Sequence, residues 1–350
     1  MTPRLVAITG LAIVAAVGAV AVGGVPLLAG LGLVAALALA ALPGGSRRYL
    51  LRRVVQVVGS VFFAMAIVWL LVHNYPDASR LDDTGVVAAM ERYIAWIGDV
   101  VAGEMGDTQY SETVEAGVSR TIPISLQLLA YSQVMAVVIA IPGAMLGARF
   151  RGRAADVGFR GVGLLGLAAP TFVSGPILVY LLGVGELNVF GAEIGVGIFP
   201  TGRYVPLGRG VVDHLASVAL PSFTLALTTA ATYLVLLRSE MLQQLQSEHV
   251  QLARSKGLTP FRIVRSHALR PAAPTMVAAI GAQSALVLGH LVVVERIFLI
   301  PGFGDYVLVA IGRRDVAAVA GALFVTSVIV GVVNLFADAL LLVVDPRIGR

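Results

Sequence analysis

The chain has 350 residues, 58% of them hydrophobic and 13% charged, with a formal net charge of +5 and no cysteine. Soluble domains carry about 25% charged residues, so the composition places the chain in the membrane class, and the missing cysteine excludes disulfides and thiol chemistry. The basic excess does not indicate nucleic-acid binding, because membrane proteins sort Lys and Arg to their cytoplasmic face.

No charged residue occurs from Leu5 to Ser46, nor in 54–76, 121–148, 161–185, 271–294 or 316–337. A helix needs about 20 apolar residues to cross a hydrocarbon core of about 30 Å. Strand-like alternation is absent, which argues against a barrel. The pattern predicts an all-α polytopic membrane protein with eight spans. Residues 1–46 form an N-terminal apolar hairpin, with spans at 5–22 and 25–43 parted by Gly23-Gly24 and Pro26. A signal peptide is the rival reading, but this block has a single Arg, no clear cleavage site and too much apolar length. Residues 47–350 add spans near 50–72, 121–148, 158–183, 214–237, 273–294 and 316–343.

Basic residues orient these spans. Arg47, Arg48, Arg52 and Arg53 precede the third, Arg149, Arg151 and Arg153 follow the fourth, and Arg347 and Arg350 follow the last. The loop 73–120 instead holds three Arg against nine acidic residues, among them Asp77, Glu91, Asp99 and Glu104. Positive-inside sorting puts this first outer loop outside and both termini in the cytoplasm.

Prolines 142, 170 and 176 predict kinks within spans, and Gly143, Gly147, Gly158, Gly161, Gly163 and Gly166 allow helices to approach closely. Glu295 and Asp338 lie near span ends, where pairing with Arg296 or solvation is the expectation for each. No residue is assigned to substrate binding, and no HExxH zinc motif or GxSxG nucleophile elbow is present.

The most informative stretch is the cytoplasmic loop 238–271, with six basic residues, including the only lysine, Lys256, against Glu240 and Glu248. Glu240 to Ser255 has helix-forming composition, and Gly257 suits the left-handed residue that ends a helix. Thr259 is placed to cap a second helix, with Pro260 in its first turn. Phe261, Ile263, Val264 and Ala268 then predict an apolar stripe. This helix, turn, helix element reads as a docking knob, with Ala253 and Gly257 small enough for close approach of a partner. An amphipathic helix on the lipid surface or a plain basic loop are the competing readings.

Gln251-Leu252-Ala253-Arg254-Ser255-Lys256-Gly257-Leu258 resembles the cytoplasmic EAA loop of ABC-importer permeases, in the form found in the dipeptide/oligopeptide/nickel permease family. His267-Ala268-Leu269-Arg270 extends the likeness, as do Leu220-Pro221 and Arg238-Ser239-Glu240-Met241-Leu242 upstream. Glu295-Arg296-Ile297-Phe298, Pro301-Gly302-Phe303-Gly304 and Arg314-Asp315 resemble a further family string. Asn334, Asp338 and Asp345-Pro346-Arg347 fit its close, and Gly103-Glu104-Met105-Gly106-Asp107 and Phe199-Pro200-Thr201-Gly202 resemble its two outer loops. Gln251 and Leu252 depart from the Glu and Ala of the general motif, and Pro271 stands where Asn is common.

The resemblance covers about 47–350 and implies a six-span type I importer permease core, with the N-terminal hairpin outside it. It implies one half of a pore with alternating access, docking on the ATPase through Gln251, Leu252, Ala253, Arg254, Ser255, Lys256, Gly257 and Leu258. The chain lacks a GxxxxGK[ST] loop, so ATP and Mg belong to a separate nucleotide-binding subunit and this chain is itself no enzyme and holds no cofactor. A paralogous second permease, an extracellular or periplasmic solute-binding protein and the lipid bilayer are the implied partners, and peptides the implied cargo. The alternative is an ion-gradient-driven secondary transporter, which calls for internal repeats and a midplane ionisable group. No clear repeat is present, and the charged candidates sit toward span ends.

Overall fold

The computed structural model describes residues 44–344 except 74–85, 103, 109–111, 154–157, 160, 162, 164–165, 168, 185–186, 190–191 and 195–196. The expected hairpin at 1–46, apart from its last three residues, and the closing Asp345-Pro346-Arg347 therefore lie outside the described residues. The elements in chain order are α1 (Gly44–His73), α2 (Val86–Ala102), α3 (Val114–Arg149), α4 (Thr171–Leu178), β1 (Leu187–Val189), β2 (Ala192–Ile194), α5 (Val211–Gln244), α6 (Glu248–Ser255), α7 (Pro260–Ile263), α8 (Leu269–Phe298), α9 (Phe303–Gly312) and α10 (Val316–Val344). A π-helical turn, Val179–Val184, follows α4, and another, Val264–Ala268, joins α7 to α8.

Among the described residues, four helical stretches are long and apolar enough to cross a membrane: Val114–Arg149, Val211–Gln244, Pro260–Phe298 and Val316–Asp338. They contain the spans expected at 121–148, 214–237 and 273–294, and most of that at 316–343. The span expected at 50–72 falls within α1. That at 158–183 lies partly outside the described residues, and its second half is α4 with the π-helical turn that follows it. The protein is thus a polytopic helical membrane protein. The expectation of an all-α chain needs one amendment: β1 and β2 pair antiparallel, with Asn188 opposite Glu193. Such a ribbon has only three residues in each strand, too few to leave a long periodic run in the sequence.

The chain divides into two compact units, Met1–Ile124 with Tyr306–Arg350, and Ser125–Asp305. In the first, α1 packs on α10. Gly331 leaves room for Val57 against the α10 backbone, and Arg53 Nε meets Asp338 Oδ2 at 3.0 Å. Asp338 is therefore paired with Arg53 rather than with Arg296 or solvent. Tyr93 on α2 donates its hydroxyl to the Phe62 carbonyl at 2.8 Å and packs edge-on against Phe62 and Trp69. Arg314 adopts a left-handed backbone (φ 56°), after which Asp315 caps α10 by accepting from Ala318 N–H at 3.1 Å. The Arg-Asp string is thus a turn and a helix cap.

In the second unit, α5 lies against α8. Ala136, Ala140, Ala144 and Ala148 form an i, i+4 stripe on α3 that packs with Ala226, Ala230, Tyr233 and Leu237 of α5 and Ala272 and Met276 of α8. Small side chains bring helix backbones together where lipid gives no hydrophobic drive for association. A Cβ on Gly143 would lie 2.7 Å from Leu234, and one on Gly166 2.8 Å from Ala231, so these glycines serve close packing. Gly158 and Gly161 have no such neighbour. The Tyr233 hydroxyl donates to Gln133 Oε1 at 2.7 Å, and Gln133 Nε2 donates to Ser284 Oγ at 2.8 Å. This chain of hydrogen bonds ties α5, α3 and α8 at a depth where an unmet polar group is costly.

Candidate functional site

The element at 248–263 begins where α5 ends. The single helix expected from Glu240 to Ser255 is broken at Leu245–Ser247, where Ser247 turns its hydroxyl onto the Gln244 carbonyl at 2.5 Å. A hydroxyl that bonds a nearby carbonyl competes with the helix and favours a terminus. Glu248 then sits in the first turn of α6 and Arg254 in its last, each at the end that the helix dipole favours.

Val250 and Ala253, three residues apart, are buried and pack with Ile263, Leu245 and Leu258. Ala253 is thus small so that α6 can lie on α7 of the same chain, and its side chain faces inward. Past Ser255 the chain reverses through a Schellman turn. Leu258 N–H donates to the Ala253 carbonyl at 3.3 Å and Gly257 N–H to that of Arg254 at 2.9 Å. Gly257 has φ +77° and nothing within 4 Å of where a Cβ would stand. Its glycine is required by backbone conformation rather than by crowding within the chain.

Pro260 occupies the first turn of α7 as expected, and Thr259 precedes it without a side-chain capping bond. Ile263, Val264 and Ala268 are buried, whereas Phe261 is 51% exposed, so the apolar stripe divides between the chain's own core and the surface. Gln251, Leu252, Arg254, Ser255, Lys256 and Gly257 are all exposed, and Leu258 is half-buried. Of the eight residues of the motif, Ala253 alone is enclosed. Among the described residues, Arg254, Lys256, Arg262, Arg265 and Arg270 form no ion pair.

One bond that braces this element was not legible in the motif. Pro271 has no N–H to donate to the carbonyl four residues earlier, that of His267. The His249 ring, on α6, lies 3.2 Å from that oxygen through Nε2 and 2.9 Å from Ser247 Oγ through Nδ1. His249 thereby fastens α6 to the π turn. The only hint in the sequence was the pairing of a proline after the loop with a histidine inside it.

At the other end of α8, Glu295 is fully buried. Its carboxyl group accepts from Ser125 Oγ and from Asp305 N–H at 3.0 Å, with Gly304 N–H a further donor. Ser125 Oγ in turn accepts from Phe303 N–H at 2.7 Å. Leu299 takes the left-handed conformation (φ 54°) that ends α8, and Ile300 N–H returns to the Glu295 carbonyl at 2.9 Å. A Cβ on Gly302 would overlap the Glu295 carboxyl group, and one on Gly304 would stand 2.6 Å from Val292 Cα. The string Glu-x-Ile-Phe-x-x-Pro-Gly-x-Gly therefore encodes a corner: a buried acid that collects the free N–H groups of the next helix, and two glycines that leave it room. Arg296 does not reach Glu295 and pairs with Asp305 at 3.2 Å.

No group of three or more His, Cys, Asp or Glu suited to a metal occurs among the described residues. The geometry supplies a short helix packed on the chain's own core at one end of a long span, with a basic exposed tip.

The sequence profile described as "Binding-protein-dependent transport system inner membrane component" matches residues 140–350. A protein named as a peptide permease in Brucella ovis is 31% identical over 259 residues, which cover 73% of this chain and 79% of that one. The oligopeptide transport system permease protein AppB of Bacillus subtilis is 32% identical over 265 residues, again 73% and 79% of the two chains. A peptide ABC transporter permease protein of Sinorhizobium fredii is 24% identical over 318 residues, covering 86% of this chain and 98% of its own length.

Proposed function

This chain belongs to the binding-protein-dependent transport system inner membrane component family, and from that premise we propose that it is the membrane-spanning permease subunit of an ATP-driven importer of peptides. Peptide cargo is supported by the names of the relatives from Brucella, Bacillus and Sinorhizobium. The family likeness favours this reading over the ion-gradient-driven secondary transporter.

The observation that carries the mechanism is the braced knob at 248–258. Its inner face is packed on the chain's own Ile263, while Leu252 is 57% exposed and the charged tip at Arg254 and Lys256 is exposed and forms no ion pair among the described residues. A separate nucleotide-binding subunit, which holds ATP and Mg, receives these residues in a groove. Because α6 is tied through Ile263 and His249 to the turn that opens α8, displacement of the knob is passed to that span as a rigid-body movement. Two such knobs approach when two ATPase subunits close on ATP, and the pore opens outward. Hydrolysis resets it.

In this reading both termini and the 238–271 loop are cytoplasmic, eight spans cross the membrane, and residues 1–46 form a hairpin beside the six-span core. A paralogous permease supplies the other half of the pore, and a solute-binding protein delivers cargo at the outer face.

The test is co-purification of the ATPase subunits, together with ATP-dependent peptide uptake in proteoliposomes, using the Leu252→Asp and the Arg254→Glu/Lys256→Glu variants. Both variants are expected to fold, since these side chains are exposed, and to lose ATPase association and uptake together. Full association and uptake in both variants would overturn the docking assignment.

A further inference from the structure

The second unit contains an open-mouthed cavity of about 390 Å³ lined by Pro200, Arg203, Val205, Arg209, Asp213 and Ala216. Its wall is fixed from behind. Val205 N–H donates to Ser217 Oγ at 3.3 Å, and the buried His214 places Nδ1 2.7 Å from the Val205 carbonyl oxygen. Both backbone groups of Val205 are thus held by side chains of α5. His214 Nε2 lies 3.2 Å from the Tyr131 hydroxyl, and the Tyr204 hydroxyl donates to Gln127 Oε1 at 3.4 Å. These bonds bolt the segment 204–205 to α3 and α5, so the cavity has rigid sides while its charged residues remain exposed.

Arg203, Arg209 and Asp213 share this one concavity, yet none of them forms an ion pair among the described residues. Two guanidinium groups suit a carboxylate, which they can bind through paired charge-assisted hydrogen bonds. Asp213 decides between kinds of carboxylate. It would repel an acidic side chain presented by a protein surface, whereas it would attract the ammonium group of a small zwitterion. A volume of this size falls in the range of small-molecule sites.

We propose that this cavity is a receiving subsite for free peptide termini, with Arg203 and Arg209 holding the α-carboxylate and Asp213 the α-ammonium group. The assignment of peptide as the zwitterion rests on the importer reading above. It adds a recognition step on the permease itself, one that selects unblocked termini whatever the side chains.

The experiment titrates dialanine, dialanine amide and N-acetyl-dialanine onto the assembled transporter in nanodiscs, read by saturation-transfer NMR. The unmodified complex is expected to bind dialanine about tenfold more tightly than either blocked peptide, the scale of one lost charge-assisted interaction. Arg203→Gln/Arg209→Gln removes the preference over the amide, and Asp213→Asn the preference over the acetylated peptide. Ala216→Trp fills the cavity and weakens all three. Equal binding of the three peptides by the unmodified complex, no binding of any, or unchanged titrations in the variants would overturn the proposal. So would variants that bind dialanine normally but hold the solute-binding protein about tenfold less tightly, since the cavity would then serve protein docking. ATP-driven uptake measured in parallel separates the two ideas: its absence defeats the importer reading, while the titration alone decides the cavity.

Discussion

Replacing Glu295 by Ala tests whether the corner after α8 is held by a buried acid. Three donors converge on that carboxyl group: Ser125 Oγ, Asp305 N–H at 3.0 Å and Gly304 N–H. Ser125 can rotate its hydroxyl toward another acceptor, but the two backbone N–H groups are fixed by the start of α9. A buried donor left unmet costs about 1–3 kcal/mol, so Glu295→Ala is expected to destabilise the protein by about 2–6 kcal/mol. Glu295→Gln retains one acceptor oxygen and turns an NH2 group toward the remaining donors, and should lose about half as much. Ser125→Ala removes the acceptor of Phe303 N–H as well as the donor to Glu295, so it and Glu295→Ala should couple rather than add. Denaturant unfolding in detergent micelles, followed by fluorescence and size exclusion, measures each variant. A Glu295→Ala protein within about 0.5 kcal/mol of the parent would refute the capping argument, as would strict additivity with Ser125→Ala.

At Gly257 the open surroundings leave backbone strain as the main cost, about 1–2 kcal/mol for a residue with a Cβ. Gly257→Asn should therefore keep more ATP-driven uptake than Gly257→Val, and equal uptake by the two variants would sink that account. His249→Ala should cost about 0.5–1.5 kcal/mol of stability, and less in a Pro271→Ala background, where an N–H is restored to the His267 carbonyl. Equal penalties in the two backgrounds would show that His249 does not compensate for the proline. Asp338→Asn and Arg53→Gln should each weaken the packing of α1 on α10, and the double variant should lose less than the sum. Additive losses by thermal unfolding would mean the pair contributes nothing.

Much of the architecture was legible because lipid imposes a simple rule: long charge-free runs must become helices, and basic residues must gather between them. The helix and turn at 248–263 were equally plain, since Gly257, Pro260 and the clustered Arg residues each have a local backbone or charge meaning that needs no knowledge of distant contacts. What the sequence could not say was which way a side chain faces. Ala253 read as a contact for a partner, yet it packs inward on Ile263; the expected helix from Glu240 was cut by a hydroxyl of Ser247; and Phe261 left the apolar stripe for the surface.

Local pattern determined the spans, the turn and the charge of the knob, because each depends on residues within a few positions of one another. Only the tertiary structure decided the fate of the buried polar groups. Glu295 meets Ser125, 170 positions earlier, and Tyr233 meets Gln133, 100 positions earlier. A charge or an unpaired carbonyl inside a membrane protein must find a partner wherever the chain brings one within hydrogen-bonding distance, and that distance is set by helix packing rather than by sequence separation.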